Sequence, residues 1–190
     1  MRTKDKNKRQ QIEQAVMRLV NTIGYSNISM SKIAKEAGMT ASMLYVYYEN
    51  QEDMFRSIFK DKKKEMYLFL GDRIDSAMDT KDMVNQFCRN ILSFGQTHMD
   101  EFLFIQQSLD SPYVNGAAQE VTDEFGENIL ESFNAGISRG ELKEKNVIML
   151  ISFCVYPIAM IYKEAMKTDG MLKHINFDDV FEMCWDAVKK

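Results

Sequence analysis

Proline and glycine are scarce in this chain, two and nine among 190 residues, and no segment alternates β-branched with polar residues. Loop-rich and sheet-built architectures are thereby excluded, and the pattern points to an all-α protein. Cysteine is also scarce. Cys88, Cys154 and Cys184 are widely spaced and odd in number, which excludes a disulfide framework and fits a reducing cytoplasm. Cys88 and Cys154 are open to two readings, oxidant sensing and structural burial, and burial is favoured. The two histidines, His98 and His174, have metal-ligand spacing neither to each other nor to the cysteines, so no metal site is expected. There is no glycine-rich phosphate loop and no serine or cysteine nucleophile motif with a local histidine, so neither an enzyme nor a cofactor is expected. The charged N-terminus is not followed by an apolar stretch, so no signal peptide is read.

What is present is unevenly distributed. The net charge of −4 conceals a basic N-terminal third: residues 1–64 hold 13 lysines and arginines against 7 acids, or +6, and the remainder carries −10. A basic segment on an acidic chain marks the end that meets nucleic acid. Arg2, Lys4, Lys6, Lys8 and Arg9 either follow a nucleic-acid backbone or minor groove, or form only a solubilising terminus. Lys62, Lys63 and Lys64 read as a solvated helix surface.

Inside that basic third, residues 28–55 read as two short helices joined by a tight glycine turn, the geometry of a helix-turn-helix. Ser29 or Ser31 caps the first helix, and Ile33, Ala34 and Ala37 share its apolar face. Gly38 ends it through a positive φ, with Met39 placed for the hydrophobic contact of such turns. Thr40 is placed to cap the second helix, in which Leu44 and Tyr48 point inward. Ala41, Ser42, Met43, Tyr45 and Tyr47 are left for the outer face. Small side chains at 41 and 42 let a helix sit deep in a major groove, and the tyrosine hydroxyls can reach phosphates.

The run from Ser31 to Thr40, SKIAKEAGMT, followed by LYVYYENQEDM from Leu44 to Met54, resembles the helix-turn-helix of the TetR-type transcriptional regulators. The resemblance covers roughly the first third of the chain. It implies that Ser29 and Ser31 meet the DNA backbone or a base, that Ala41, Ser42 and Met43 face base edges, and that Tyr45 and Tyr47 clamp phosphates. Lys32, Thr40 and Gln51 complete the expected DNA-binding set. The family's usual phenylalanine is Tyr48 here, and its usual lysine at the start of the fourth helix is Gln51, which removes one charge from a phosphate contact. Losing one such charge flattens the salt dependence by roughly one unit.

The rest of the chain reads as helices. One of residues 8–23 precedes the helix-turn-helix, and a long fourth helix over 51–77 links a head to a body. Helices over 80–98, 99–109, 114–137, 144–168 and 176–189 then give about nine in all. The expected architecture is a helix-turn-helix head, residues 1–50, on a larger ligand-binding and dimerisation body, residues 51–190. Val147 to Tyr162 has fourteen apolar residues in sixteen, interrupted by Ser152 and Pro157. It falls short of the roughly 20 residues a bilayer needs, so it reads as a fully buried helix that a second subunit helps to cover. Val147, Ile151, Val155 and Ile158, with Phe177, Phe181 and Trp185 from the last helix, form the expected dimer interface.

The expected effector pocket is lined by Phe87, Ile91, Phe94, Phe102, Phe125, Ile129, Phe153, Tyr156 and Met160, with His98, Gln106 and Asn128 as orienting polar groups. Fifteen methionines make such an interior adaptable. With no basic cluster in the body, the expected effector is small, of low charge, and mostly apolar or aromatic. The functional expectation is a cytoplasmic homodimeric repressor, released from a palindromic double-stranded operator when that effector binds, and not a membrane protein. The alternative is a ligand-carrying or protein-interaction module with a degenerate DNA-binding head.

Overall fold

The computed structural model describes residues 2–165 and 175–190, and among these it is built from ten α-helices and two short 3-10 turns, with no strand. The helices are α1 (Arg2–Ile23), α2 (Met30–Glu36), α3 (Ala41–Leu44), α4 (Gln51–Leu70), α5 (Thr80–Thr97), α6 (Met99–Ser108), α7 (Ala117–Phe125), α8 (Glu127–Ser138), α9 (Val147–Ala165) and α10 (Phe177–Val188). The all-α expectation holds. His174 and the last residues expected of the 144–168 helix lie outside the described residues.

Several boundaries move, each for a local reason. The first helix starts at Arg2, so the basic segment is helical and not a tail. The fourth stops at Leu70 instead of 77 because the buried Asn90 carboxamide takes the carbonyls of Leu70 (3.0 Å) and Asp72 (2.8 Å). Asn128 takes those of Gly71 (3.3 Å) and Ile74 (3.0 Å). Two asparagine side chains thus satisfy carbonyls that would be orphaned at a helix end. The helix expected over 114–137 begins later, after the Pro112–Val114 turn, and is divided at Gly126 into α7 and α8.

The chain forms two compact units. The first comprises Met1–Glu65 and Met99–Val121, the second Met66–His98 and Thr122–Lys190. In the first, α1 packs on α2 and α6, and α2 on α3. Ile12, Val16, Val20, Ile33, Leu44, Phe55, Ile58 and Phe59 are fully buried there. Each such side chain removed from water contributes about 1.5–3 kcal/mol. Tyr25 stands edge-on to Phe55 at 4.8 Å, Tyr113 lies 5.1 Å from Phe55, and the Tyr25 hydroxyl is hydrogen-bonded to Ser108.

In the second unit α9 packs against α5, α8 and α10, and α5 also meets α8 and α10. Phe87 and Phe133 meet edge to face at 5.4 Å, and Ile91, Cys154, Ile158 and Phe181 are buried among these helices. Gly136 permits a close approach, since a Cβ there would fall 2.9 Å from both Leu142 and Thr80. Arg139 donates to the carbonyls of Ser76 and Met78 and to Thr80, whose hydroxyl donates to Glu141. After α10, Leu142 and Lys189 form an isolated antiparallel bridge.

Candidate nucleic-acid interface and body cavity

The turn between α2 and α3 is held by hydrogen bonds within the chain that forms it. Ser29 caps α2, its hydroxyl accepting from the Lys32 amide at 3.3 Å. At the other end Met39 N–H donates to the Ala34 carbonyl at 2.8 Å and Gly38 N–H to Lys35 at 3.2 Å, with Gly38 at φ 65°. These are the paired bonds of a Schellman ending, which needs the left-handed conformation at its glycine. Thr40 stands at the N-cap position of α3, but its hydroxyl bonds to that of Ser42 (3.0 Å) and caps no amide, which corrects the capping role expected of it.

The helix α3 has four residues, and the chain turns on through Tyr47, with Tyr48 N–H returning to the Leu44 carbonyl. Leu44 and Tyr48 are buried and anchor it. Ser31, Lys32, Thr40 and Ser42 are exposed, Ala41, Met43 and Tyr47 half-buried, and Tyr45 is 57% exposed. Sequence reasoning missed Val46, 77% exposed beside Tyr45. Its position two residues past the inward Leu44 was the available signal.

Several cations near this face are engaged. Lys32 donates to the Asn27 carbonyl at 2.7 Å. Gln51, which replaces a lysine of the family pattern, donates to the Ile28 carbonyl at 3.2 Å and so holds the start of α4 to the chain entering α2. Arg9 bonds Asp61 at 2.7 Å and Glu13 at 3.3 Å. The solvated surface expected of 62–64 is corrected at two positions. Lys62 lies between Glu13 (3.4 Å) and Glu65 (3.0 Å), and Lys63 is buried, donating to the Ala118 carbonyl at 2.9 Å. Burial pulls the Lys63 ammonium down to about 8 and pushes the Tyr25 and Tyr48 phenols up to about 12.

The expected effector residues separate. Phe87, Ile91, Phe94 and Ile129 are buried in the second unit, and the His98 ring stacks on Phe94 at 4.9 Å. Phe125 is half-buried, and Asn128 is occupied by the Gly71 and Ile74 carbonyls. Phe102 and Gln106 are corrected: they stand on α6, in the first unit, where Phe102 is buried. Phe153, Tyr156 and Met160 do not face inward either, and their side chains are about half exposed along α9. Their spacing puts them on the face opposite Leu150, Cys154 and Ile158, which are buried.

The same rotation of α9 corrects the expected dimer set. Ile158 and Phe181 are buried within the chain and offer nothing to a partner. Val147, Ile151, Val155, Phe177 and Trp185 are half-buried. Ile148 and Met149, exposed on α9, and Met183, 75% exposed on α10, were not anticipated. The helix is long and apolar enough to cross a membrane by length and composition, yet three amphipathic helices pack against it.

Two further features lie inside the second unit. Cys88, Cys154 and Cys184 are all free and buried, and Cys88 exchanges hydrogen bonds with both others. The bond with Cys154, together with burial, pushes the Cys88 thiol upward, and the bond with Cys88, together with burial, does the same for Cys184, away from the reactive thiolate. Among the described residues no group of three or more histidine, cysteine or acidic side chains could hold a metal ion. Beside these helices is a partly open cleft of about 150 Å³, lined by Leu92 and Gln96 of α5, Ile158 and Ile161 of α9, Ile175, and Phe177 and Val180 of α10. None of the residues expected to bind an effector lines it.

Residues 12–58 match the family described as "Bacterial regulatory proteins, tetR family", and residues 59–190 match "Tetracyclin repressor-like, C-terminal domain". The chain belongs to the TetR family. The fatty acid metabolism regulator protein of Bacillus subtilis is 29% identical over 140 residues, 70% of each chain. A TetR-family transcription regulator from Marinobacter aquaeolei superposes with a TM-score of 0.88 over the full length of both chains at 24% identity. The regulator FadR from Bacillus subtilis in complex with stearoyl-CoA covers 93% of this chain and 95% of its own, with a TM-score of 0.71 and 20% identity. As a TetR-family member the chain is a DNA-binding transcriptional regulator and not an enzyme.

Proposed function

We propose that this TetR-family chain is a cytoplasmic homodimeric repressor, released from a palindromic operator when a small, mostly apolar or aromatic effector binds its body. The observation that carries the DNA half of this reading is the face of α3. Ser42 and Tyr45 are exposed and Ala41 and Tyr47 half-buried, after a turn that Gly38 makes at φ 65°. Ala41, Ser42 and Met43 read bases, Tyr45 and Tyr47 hold phosphates, and Val46 is placed to meet a thymine methyl group. Ser29 and Ser31 flank them from α2. A dimer presents two such helices about 34–36 Å apart, one turn of DNA.

The apolar outward face of α9 supports dimerisation, since such a row of side chains is rarely left in water. Release requires that the effector bind the non-DNA state better, and a preference of about 3 kcal/mol changes operator occupancy roughly 100-fold. A second effector class, a long-chain acyl-CoA, is favoured by the likeness to the fatty acid metabolism regulator. The −10 charge of residues 65–190 weighs against so anionic a ligand.

The test is selection of bound duplexes from a random library at two salt concentrations, followed by release assays with aromatic compounds and with an acyl-CoA. A palindromic consensus with steep salt dependence and effector-driven release is expected. Sequence-blind retention would instead favour the interaction module with a degenerate head.

A further inference from the structure

Thiols from three helices meet inside the second unit. Cys88 of α5, Cys154 of α9 and Cys184 of α10 are free and buried, and Cys88 is hydrogen-bonded to both others. The packing of α5, α9 and α10 on one another is what brings together positions so far apart in the chain. Each cysteine also stands four residues along its helix from a residue of the cleft, Leu92, Ile158 or Val180, and so shares a helix face with it, one turn away. Cys88, flanked by two thiols, is the centre of a preformed dithiol.

The chemistry of the cluster selects what it can take. Peroxide attacks a thiolate, and Cys88 and Cys184 are both held in the thiol form, so oxidation is disfavoured. A structural zinc ion takes four ligands, and no such set is present among the described residues. A univalent soft cation between two thiolates would leave a net negative charge in the interior, which is costly. A monosubstituted trivalent arsenical, with one carbon substituent and two hydroxyls on arsenic, meets none of these obstacles. It is uncharged and exchanges its hydroxyls for protonated thiols. Two As–O and two S–H bonds break, two As–S bonds form, and each thiol proton leaves with a hydroxyl as water. Arsenic stays trivalent, so no oxidant or reductant takes part, and neutral reactants give a neutral product that burial does not penalise.

We infer that the Cys88 cluster is a binding site for a monosubstituted trivalent arsenical, which bonds Cys88 and one of its two neighbours, Cys154 or Cys184. The site goes beyond the apolar-effector reading and does not rest on it. Either pairing joins α5 covalently to a second helix, α9 or α10, and so staples the packing of the helices whose other faces carry Phe153, Tyr156 and Met183.

The test is intact-mass spectrometry and thermal denaturation of the full chain with methylarsonous acid in excess glutathione. Expected are one methylarsenic group per chain in place of two thiol hydrogens, and a raised Tm. Because the second As–S bond closes within the chain, the dithiol should hold the arsenical about 100-fold more tightly than a single thiol does. Dimethylarsinous acid, which can form only one such bond, should therefore be stripped by the glutathione. Cys88→Ala should lose the methylarsenic adduct, as should the double variant Cys154→Ala with Cys184→Ala, and folding of each is checked by circular dichroism. The single variants C154A and C184A then show which neighbour is the second ligand. Should C88A not fold, the double variant and the dimethyl compound decide. No adduct in the original protein, an adduct that glutathione strips from it, or an adduct retained in C88A overturns the site.

Discussion

The outer face of α3 and the outer face of α9 are both open, and they differ in almost every other respect. The first is four residues long, small and hydroxylic, set in a unit whose cations and acids are tied into pairs such as Arg9 with Asp61 and Arg18 with Glu36. The second belongs to a nineteen-residue helix and shows Ile148, Met149, Phe153, Tyr156 and Met160. Exposure alone therefore says little about the partner. Chemistry decides it: hydroxyls and short side chains suit a hydrated, charged duplex, whereas a row of large apolar groups suits another protein surface.

Breaking the first face has the largest expected effect. Ser42→Glu sets a carboxylate against the duplex and lowers operator affinity by about 100-fold or more, read by fluorescence anisotropy, with the melting temperature unchanged. Next is the second face. Phe153→Glu places a charge in the apolar row, and sedimentation should show the dimer constant weakened by about 30- to 100-fold. If F153E leaves sedimentation unaltered, the contrast between a DNA face and a protein face is wrong.

Smaller changes sharpen the contrast. Gly38→Ala finds open space for its methyl group, so the cost is that of the positive φ alone, about 1 kcal/mol of stability by urea denaturation. Gln51→Lys restores a charge at the start of α4, and operator affinity should rise with a salt slope steeper by about one unit. The smallest effect lies in the interior of the first unit. Lys63 is held to about 8, below its unfolded value of 10.5, so between those values the unfolded chain binds more protons and stability rises with pH. Above pH 10 the raised phenols of Tyr25 and Tyr48 reverse the trend, since the folded state then keeps protons that the unfolded chain loses. Lys63→Met should flatten the rise between pH 8 and 10 while leaving the fall above it.

The helix-turn-helix was legible because its determinants are local. Ser29, Gly38, Leu44 and Tyr48 act within one or two turns of the chain, and each took the place its residue type requires. The body was less legible because the facing of α9 depends on distant neighbours. Apolar residues occupy nearly all its positions, so periodicity could not separate Phe153 from Cys154, and only the packing of α5, α8 and α10 shows which is inside. The end of α4 was hidden for a similar reason, since Asn90 and Asn128 act from 20 and more residues away. The convergence of Cys88, Cys154 and Cys184, spread over nearly a hundred positions, had no signal in the sequence at all.

The brevity of α3 has a consequence for how this regulator can change its target. Isolated helices below about 12 residues are marginal in water, so four residues owe their shape to Gly38 before them and to the anchors Leu44 and Tyr48. The outward positions contribute little to holding that shape. If α3 reads the operator as proposed, exchanging Ala41, Ser42 and Met43 as a set samples new operator preferences while Gly38, Leu44 and Tyr48 keep the scaffold beneath them.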